Sequence, residues 1–208
     1  MSVAARRAIE GGGTLLLRTA MHPAAAQLES EGFSFETFDS IYESEEGFEQ
    51  VYSRIADEVL KRSMAGDVVY CVPGHPLVGE ESVRLIIERA RGAGIETKVV
   101  GSESFMETCL EATSINLDEG IKIVDALSVR RHSADPGLPN LFYQLYDRTT
   151  ASELKLALMD VYPDEHEVYL IIGAGTEQER VETIPLYELD RRDYDHLTAV
   201  LVPRLESR

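Results

Sequence analysis

Tryptophan is absent from this chain of 208 residues, cysteine occurs only twice, and the aromatic share is 7%. Two cysteines cannot build the disulfide framework of a small secreted domain. A chain of this length buries about 70% of its unfolded surface without one. Cys71 and Cys109 also lack metal-ligand spacing and sit inside apolar runs, so they read as reduced core thiols. Positive charge is scarce: 20 Lys and Arg stand against 37 Asp and Glu, a formal charge of −17. Nucleic acids and anionic membrane surfaces are held through many Lys and Arg contacts, so neither is an expected partner. No apolar run approaches the roughly 18 residues of a membrane span. The opening MSVAARRAIEGGG lacks the apolar core of a signal peptide, which makes the cytoplasm the expected location.

What is present is the composition of a folded α/β protein, 44% hydrophobic and 27% charged. Short β-branched runs at Thr14–Leu17, Phe33–Phe38, Val68–Val72 and Ile95–Val100 read as strands. Between them, Phe48, Val51, Tyr52, Ile55 and Val59 repeat at helical spacing, as do Val83, Ile86, Ile87 and Ala90, with Gly92 and Gly94 as stop signals. This alternation predicts a mostly parallel sheet covered by helices. The second half differs. A helix at Phe105–Thr113 precedes strands at Ile121–Asp125 and Leu141–Tyr146, and a helix carrying Leu154, Ala157, Leu158 and Val161 follows. Runs at Val168–Ile172, Val181–Ile184 and Leu197–Val202 then come too close together for crossover helices, so antiparallel pairing is expected. The expected organisation is an N-terminal α/β half, 1–101, and a mixed-sheet half, 102–208, with a cleft between them.

Val72-Pro73-Gly74-His75-Pro76-Leu77-Val78-Gly79-Glu80 is the most informative segment, because it leaves a buried strand and enters an amphipathic helix. Ligands of open α/β sheets bind where such loops converge at the carboxyl ends of strands. A rigid strand-to-helix turn without a ligand is the alternative. Gly11-Gly12-Gly13 follows a helix and precedes a strand, the reverse of a phosphate loop, and reads as a helix C-cap. Gly173-Ala174-Gly175-Thr176 is either a plain turn or a place where a flat ring lies against backbone. Of the five histidines (His22, His75, His132, His166, His196), none forms a local metal pair, and no metal site is expected. His22-Pro23 and His75-Pro76 both follow strands and suit either turns or a ligand cleft. The basic triplet Arg130-Arg131-His132 is too short to offset the acidic balance, which disfavours a site for phosphorylated ligands.

LLLRTAMHP (Leu15–Pro23), GDVVYCVPGHPLVGEESV (Gly66–Val83) and QLYDRTTASELKLALMDVYPDEHEVYLI (Gln144–Ile171) resemble the tetrapyrrole methylase family, in particular the branch that forms the N-terminal domain of MazG-type proteins. The resemblance implies a two-domain α/β methyltransferase that uses S-adenosylmethionine on a small-molecule substrate, usually as a homodimer. It implies cofactor contacts from Pro73, Gly74, His75 and Pro76, from Ser104 in a turn at Ser102–Phe105, and from Tyr146, Ala174, Gly175 and Thr176 around the adenosine. His75 is the one candidate for a catalytic proton transfer. The family opens with a strand and a glycine-rich turn, whereas Met1 here falls inside the following helix, so the fold is expected without its first strand. His75 replaces the wider family's aspartate, and Gly101-Ser102-Glu103 stands where Pro-Gly is usual. The alternative function is a non-catalytic, dimeric scaffold or regulatory domain associated with a MazG-type nucleotide pyrophosphohydrolase, either as a fused domain or as a partner.

Overall fold

A computed structural model describes residues 1–45, 47–118, 120–129, 134–195 and 197–206. Arg130, Arg131, His132 and His196, singled out from the sequence, lie outside them. The chain divides into two compact units, 1–104 and 105–208.

In the first unit, α1 (Val3–Glu10), β1 (Thr14–Leu17), α2 (Pro23–Ser30), β2 (Glu36–Thr37), α3 (Asp39–Ser44), α4 (Phe48–Ser63), β3 (Val68–Cys71) and α5 (Glu81–Ala93) follow one another. The three strands form a parallel sheet in the order β2-β1-β3. Successive side chains of a strand point to opposite faces. Leu16 accordingly packs with Phe38, Ile41, Val51, Ile55 and Val59, while Leu15 and Leu17 pack with Ile9, Ala25 and Leu28. The central strand is thus buried on both faces, whereas β3, expected buried from its VVYCV run, lies at the sheet edge and is only half-buried. Gly11 caps α1, and Gly94 at φ +70° caps α5, whereas Gly92 lies inside that helix.

Two strand expectations of this unit need correction. Phe33–Phe38 shrinks to Glu36–Thr37, because Phe33, Phe35 and Phe38 are drawn into packing against the helices. Ile95–Val100 forms no strand at all. A strand exists only through a ladder partner, and no backbone bond from residues 96–100 to another described residue replaces one.

The second unit contains α6 (Phe105–Thr113), β4 (Lys122–Asp125), β5 (Asn140–Tyr143), α7 (Arg148–Met159), β6 (Glu167–Ile172), β7 (Arg180–Pro185) and β8 (Thr198–Val202). Its mixed sheet has the order β4-β5-β8-β6-β7, with β4 and β5 parallel and the other pairs antiparallel. Alternation again splits the core. Phe142, Leu170 and Val200 pack with Leu154 and Leu158 of α7, while Leu141, Ile171 and Leu201 pack with Cys109 of α6. The strand expected to reach Tyr146 ends at Tyr143, since Gln144 takes φ +64° and breaks the extended run. Asp147 then caps α7 by accepting from the Thr150 amide at 2.8 Å. The whole is the α/β architecture expected, one parallel and one mixed sheet.

Candidate functional site

All three strands of the first unit run the same way, so the segments leaving their carboxyl ends converge on one edge. Arg18 and Thr19 follow β1, Asp39 follows β2, and the loop 73–80 follows β3. Asp39 ties two of these together, accepting from Thr19 Oγ1 at 2.6 Å and the Ala20 amide at 2.9 Å. Burial acts to raise its pKa, but hydrogen bonds from Thr19, Ala20 and Thr37 outweigh that and hold it below the usual carboxylate value.

The proline-bracketed loop is shaped by its glycines and by His75. Gly74 and Gly79 take φ +75° and +71°, conformations that side chains with a Cβ rarely adopt. His75 Nδ1 accepts from the Leu77 amide at 3.1 Å, and the Val78 amide donates to the His75 carbonyl at 3.0 Å. With Nδ1 accepting, the neutral ring carries its proton on Nε2. His22 does the same with the Ala24 amide at 3.2 Å, which makes it the N-cap of α2; burial, with the Arg18 charge nearby, lowers its pKa. The turn 101–104 lies beside the loop. A Cβ on Gly74 would meet Glu103 O and Ser104 Cα at 3.8 Å, and one on Gly101 would sit 2.7 Å from His75 Nε2. Ser2 pins this turn, its hydroxyl donating to the Gly101 carbonyl at 2.7 Å and its amide to Ser102 Oγ at 3.2 Å. Pro73, Gly74, His75, Pro76 and the buried Ser104 are therefore neighbours within one unit.

In the second unit, Ala174, Gly175 and Thr176 form the turn between β6 and β7. Thr176 donates to the Gly173 carbonyl through its amide at 3.0 Å and its hydroxyl at 2.7 Å, and the Gly175 amide donates to Glu179 Oε2 at 2.8 Å. Gly175 is at φ +75°, and a Cβ there would lie 2.8 Å from Thr108 Cγ2 of α6. Strand directions put the chain that leaves β5 toward Tyr146 on the same edge of the sheet as this turn. β5 and β6 are each antiparallel to β8, hence parallel to one another, so both carboxyl ends lie on one edge of the sheet. With one strand between them, they are about 10 Å apart. Tyr146 is 36% exposed.

The Gly175 and Thr176 amides are spent within the turn, whose residues carry little side chain. Among the described residues no three His, Cys, Asp or Glu side chains are grouped to hold a metal ion, and no helix is long and apolar enough to cross a membrane. Both cysteines are free; burial pushes Cys71 up to about 11 and Cys109 to about 12.

One cluster escaped the sequence reading. Arg18 Nε and Glu80 Oε2 stand 3.7 Å apart with side chains 23% and 7% exposed, beside Tyr42 and Tyr70. Its members follow β1 (Arg18), precede α5 (Glu80) or belong to α3 (Tyr42) and β3 (Tyr70), so no local pattern in the sequence signals them. Burial lifts the Glu80 carboxyl to about 7 even against the Arg18 charge.

Comparison with known proteins bears on the fold and the family. Over all 208 residues the chain is 37% identical to the uncharacterized protein YabN of Bacillus subtilis, and it spans 42% of that protein's length. The fold is that of uroporphyrin-III C-methyltransferase from Thermus thermophilus, with TM-score 0.70 and 18% identity over 98% of this chain and 88% of the other. A complex of that enzyme with S-adenyl homocysteine superimposes with TM-score 0.70 at 14% identity, covering 98% of this chain and 90% of that one. Diphthine synthase gives 0.69 and 15%, covering 98% and 84%. The sequence pattern of the tetrapyrrole (corrin/porphyrin) methylases itself runs through residues 1–190, and this chain belongs to that family.

Proposed function

We propose that this chain is an S-adenosylmethionine-dependent methyltransferase domain acting on a small molecule. The observation that carries the reading is the loop Pro73–Gly79 at the carboxyl end of β3, with its positive-φ glycine and the turn 101–104 packed against it. When bound, the cofactor supplies an electrophilic methyl group on a sulfonium. The chain's own share is binding and orientation, which a site without a carboxylate dyad is suited to provide. Gly74 lets backbone approach the ligand, and Pro73 and Pro76 keep the loop stiff. His75, with Nδ1 occupied, offers an Nε2–H donor rather than a base. Tyr146, Ala174, Gly175 and Thr176 take the adenosine end. Solved structures of the same fold support this reading: one is a uroporphyrin-III C-methyltransferase carrying S-adenyl homocysteine, and another is a diphthine synthase. The reading includes a homodimer in the cytoplasm and a MazG-type pyrophosphohydrolase as fused domain or partner; two free thiols and the charge of −17 are in keeping with it. Equilibrium dialysis with labelled S-adenosylmethionine tests the loop's role. Gly74→Val is expected to lower retention at least tenfold with the fold intact by circular dichroism, and unchanged retention would remove the loop from the site.

A second reading has its own observation. The outer edge of β3 has no ladder partner among the described strands, and unpaired edges recruit partners. A dimeric scaffold without cofactor would use that edge. Light scattering showing a dimer, together with no cofactor retention, favours the scaffold.

A further inference from the structure

We propose that the Arg18 cluster is a binding site for the carboxylate of a small organic acid. Arg18 extends the β1–β3 ladder by one residue, its amide donating to the Cys71 carbonyl at 2.9 Å, so its side chain is anchored at the strand end. A guanidinium carries five donors in a fork that matches a carboxylate. Here its hydrogen-bonding capacity is largely unspent among the described residues, the contact with Tyr42 falling short of full geometry. Its contact with Glu80 is a single ion pair at 3.7 Å, beyond hydrogen-bond range, and Nε is buried without a partner. Tyr42 shows the same deficit, with a buried hydroxyl that has no hydrogen-bond partner. Arg18 is its polar neighbour, with a charge and a hydrogen-bonding contact that both favour the Tyr42 phenolate, yet that contact falls short of full hydrogen-bond geometry. By contrast the Tyr70 hydroxyl is satisfied by Ser82 Oγ at 3.0 Å.

Two orphan polar groups in one cluster are costly, and a structural ion pair would not leave them so. The Arg18 side chain keeps a 23% opening to solvent, which gives a ligand entry. A carboxylate arriving there would accept from the guanidinium and from the Tyr42 hydroxyl, satisfying both. The rings of Tyr42 and Tyr52, in edge-to-face contact at 6.4 Å, wall the site with apolar surface suited to an organic acid's carbon body. Charge selects a monoanion over a phosphate dianion, because a single guanidinium is already faced by Glu80 and the chain carries −17. Glu80 opens α5 directly after the loop 73–79, so the site adjoins the proposed cofactor loop. The assignment of this carboxylate to the methyl acceptor rests on the methyltransferase reading; the carboxylate site itself does not.

The test reads Arg18 in the full chain without cofactor. The Nε–Hε resonance of Arg18 is followed by ¹⁵N NMR while acetate is added at constant ionic strength against chloride. The expected result is a saturating shift with a dissociation constant on the order of millimolar, as befits a fragment, and none with chloride. No shift, or an equal shift with chloride (an adventitious ion only), overturns the proposal. Glu80→Gln, which removes the competing carboxylate, is expected to tighten acetate binding severalfold at pH 8, and unchanged or weaker binding also counts against it. S-adenosyl ligands are titrated separately, so loss of acetate binding and loss of cofactor binding are distinct failures.

Discussion

Glu80 makes the stability of this protein depend on pH in a direction opposite to most carboxylates. Its side chain is 7% exposed, and burial raises its pKa from 4.5 to about 7 with only Arg18 pulling it down. Below pH 4.5 the folded and unfolded states both hold the proton, and the group is neutral to stability. Between pH 4.5 and 7 the unfolded chain releases the proton while the folded chain keeps it. Stability then falls as pH rises, by about 1.4 kcal/mol per pH unit, and the loss is complete above pH 7 at about 3 kcal/mol. Glu80→Gln cannot ionise and escapes this loss. Urea unfolding followed by circular dichroism, at fixed ionic strength from pH 4 to 8, reads both proteins. The variant and the parent are expected to match within about 1 kcal/mol at pH 4 and to diverge to about 3 kcal/mol in the variant's favour at pH 8. Taking the difference removes the opposing contribution of carboxylates such as Glu36 and Glu58, whose pKa values are lowered by Arg62. Parallel profiles, or a variant less stable at pH 8, would refute the reasoning and make the Arg18–Glu80 pair a net stabiliser.

Two further outcomes follow from the geometry. Gly175→Ala forces a Cβ into φ +75° and to within 2.8 Å of Thr108 Cγ2, so chemical unfolding of the variant is expected to show a loss of about 1–3 kcal/mol; unchanged stability would mean that α6 and the turn are not packed as described. Thiol titration of the native protein at pH 8 with a soluble disulfide reagent is expected to leave Cys109 unreacted and Cys71 slow, since burial raises both pKa values, with fast reaction of both only after denaturation.

How much of this was legible in the sequence depends on whether the cause was local. The apolar run at Thr14–Leu17 announced a strand, and its burial on both faces emerges only once helices pack against each side. The spacing of Val51, Ile55 and Val59 marked the buried face of α4, and the short gaps after Val168 forced antiparallel pairing. Ile95–Val100 misled because β-branched residues favour a strand only when another strand is there to pair with, and pairing is decided far away in sequence. The strand before Tyr146 was read too long because nothing in the letters reveals that Gln144 turns to φ +64°. The candidate loops were visible through their prolines and glycines, residues whose backbone limits are intrinsic. Arg18 and Glu80 were not, since neither burial nor the missing hydrogen bonds of a guanidinium can be read before the elements come together.

Calorimetric titration of the chain with S-adenosylhomocysteine asks most directly whether this fold still holds an adenosyl ligand. The account predicts saturable heat, one site per chain, with a dissociation constant in the micromolar range and below about 1 mM at worst. A flat titration at millimolar ligand, from protein whose circular dichroism shows it folded, would contradict it.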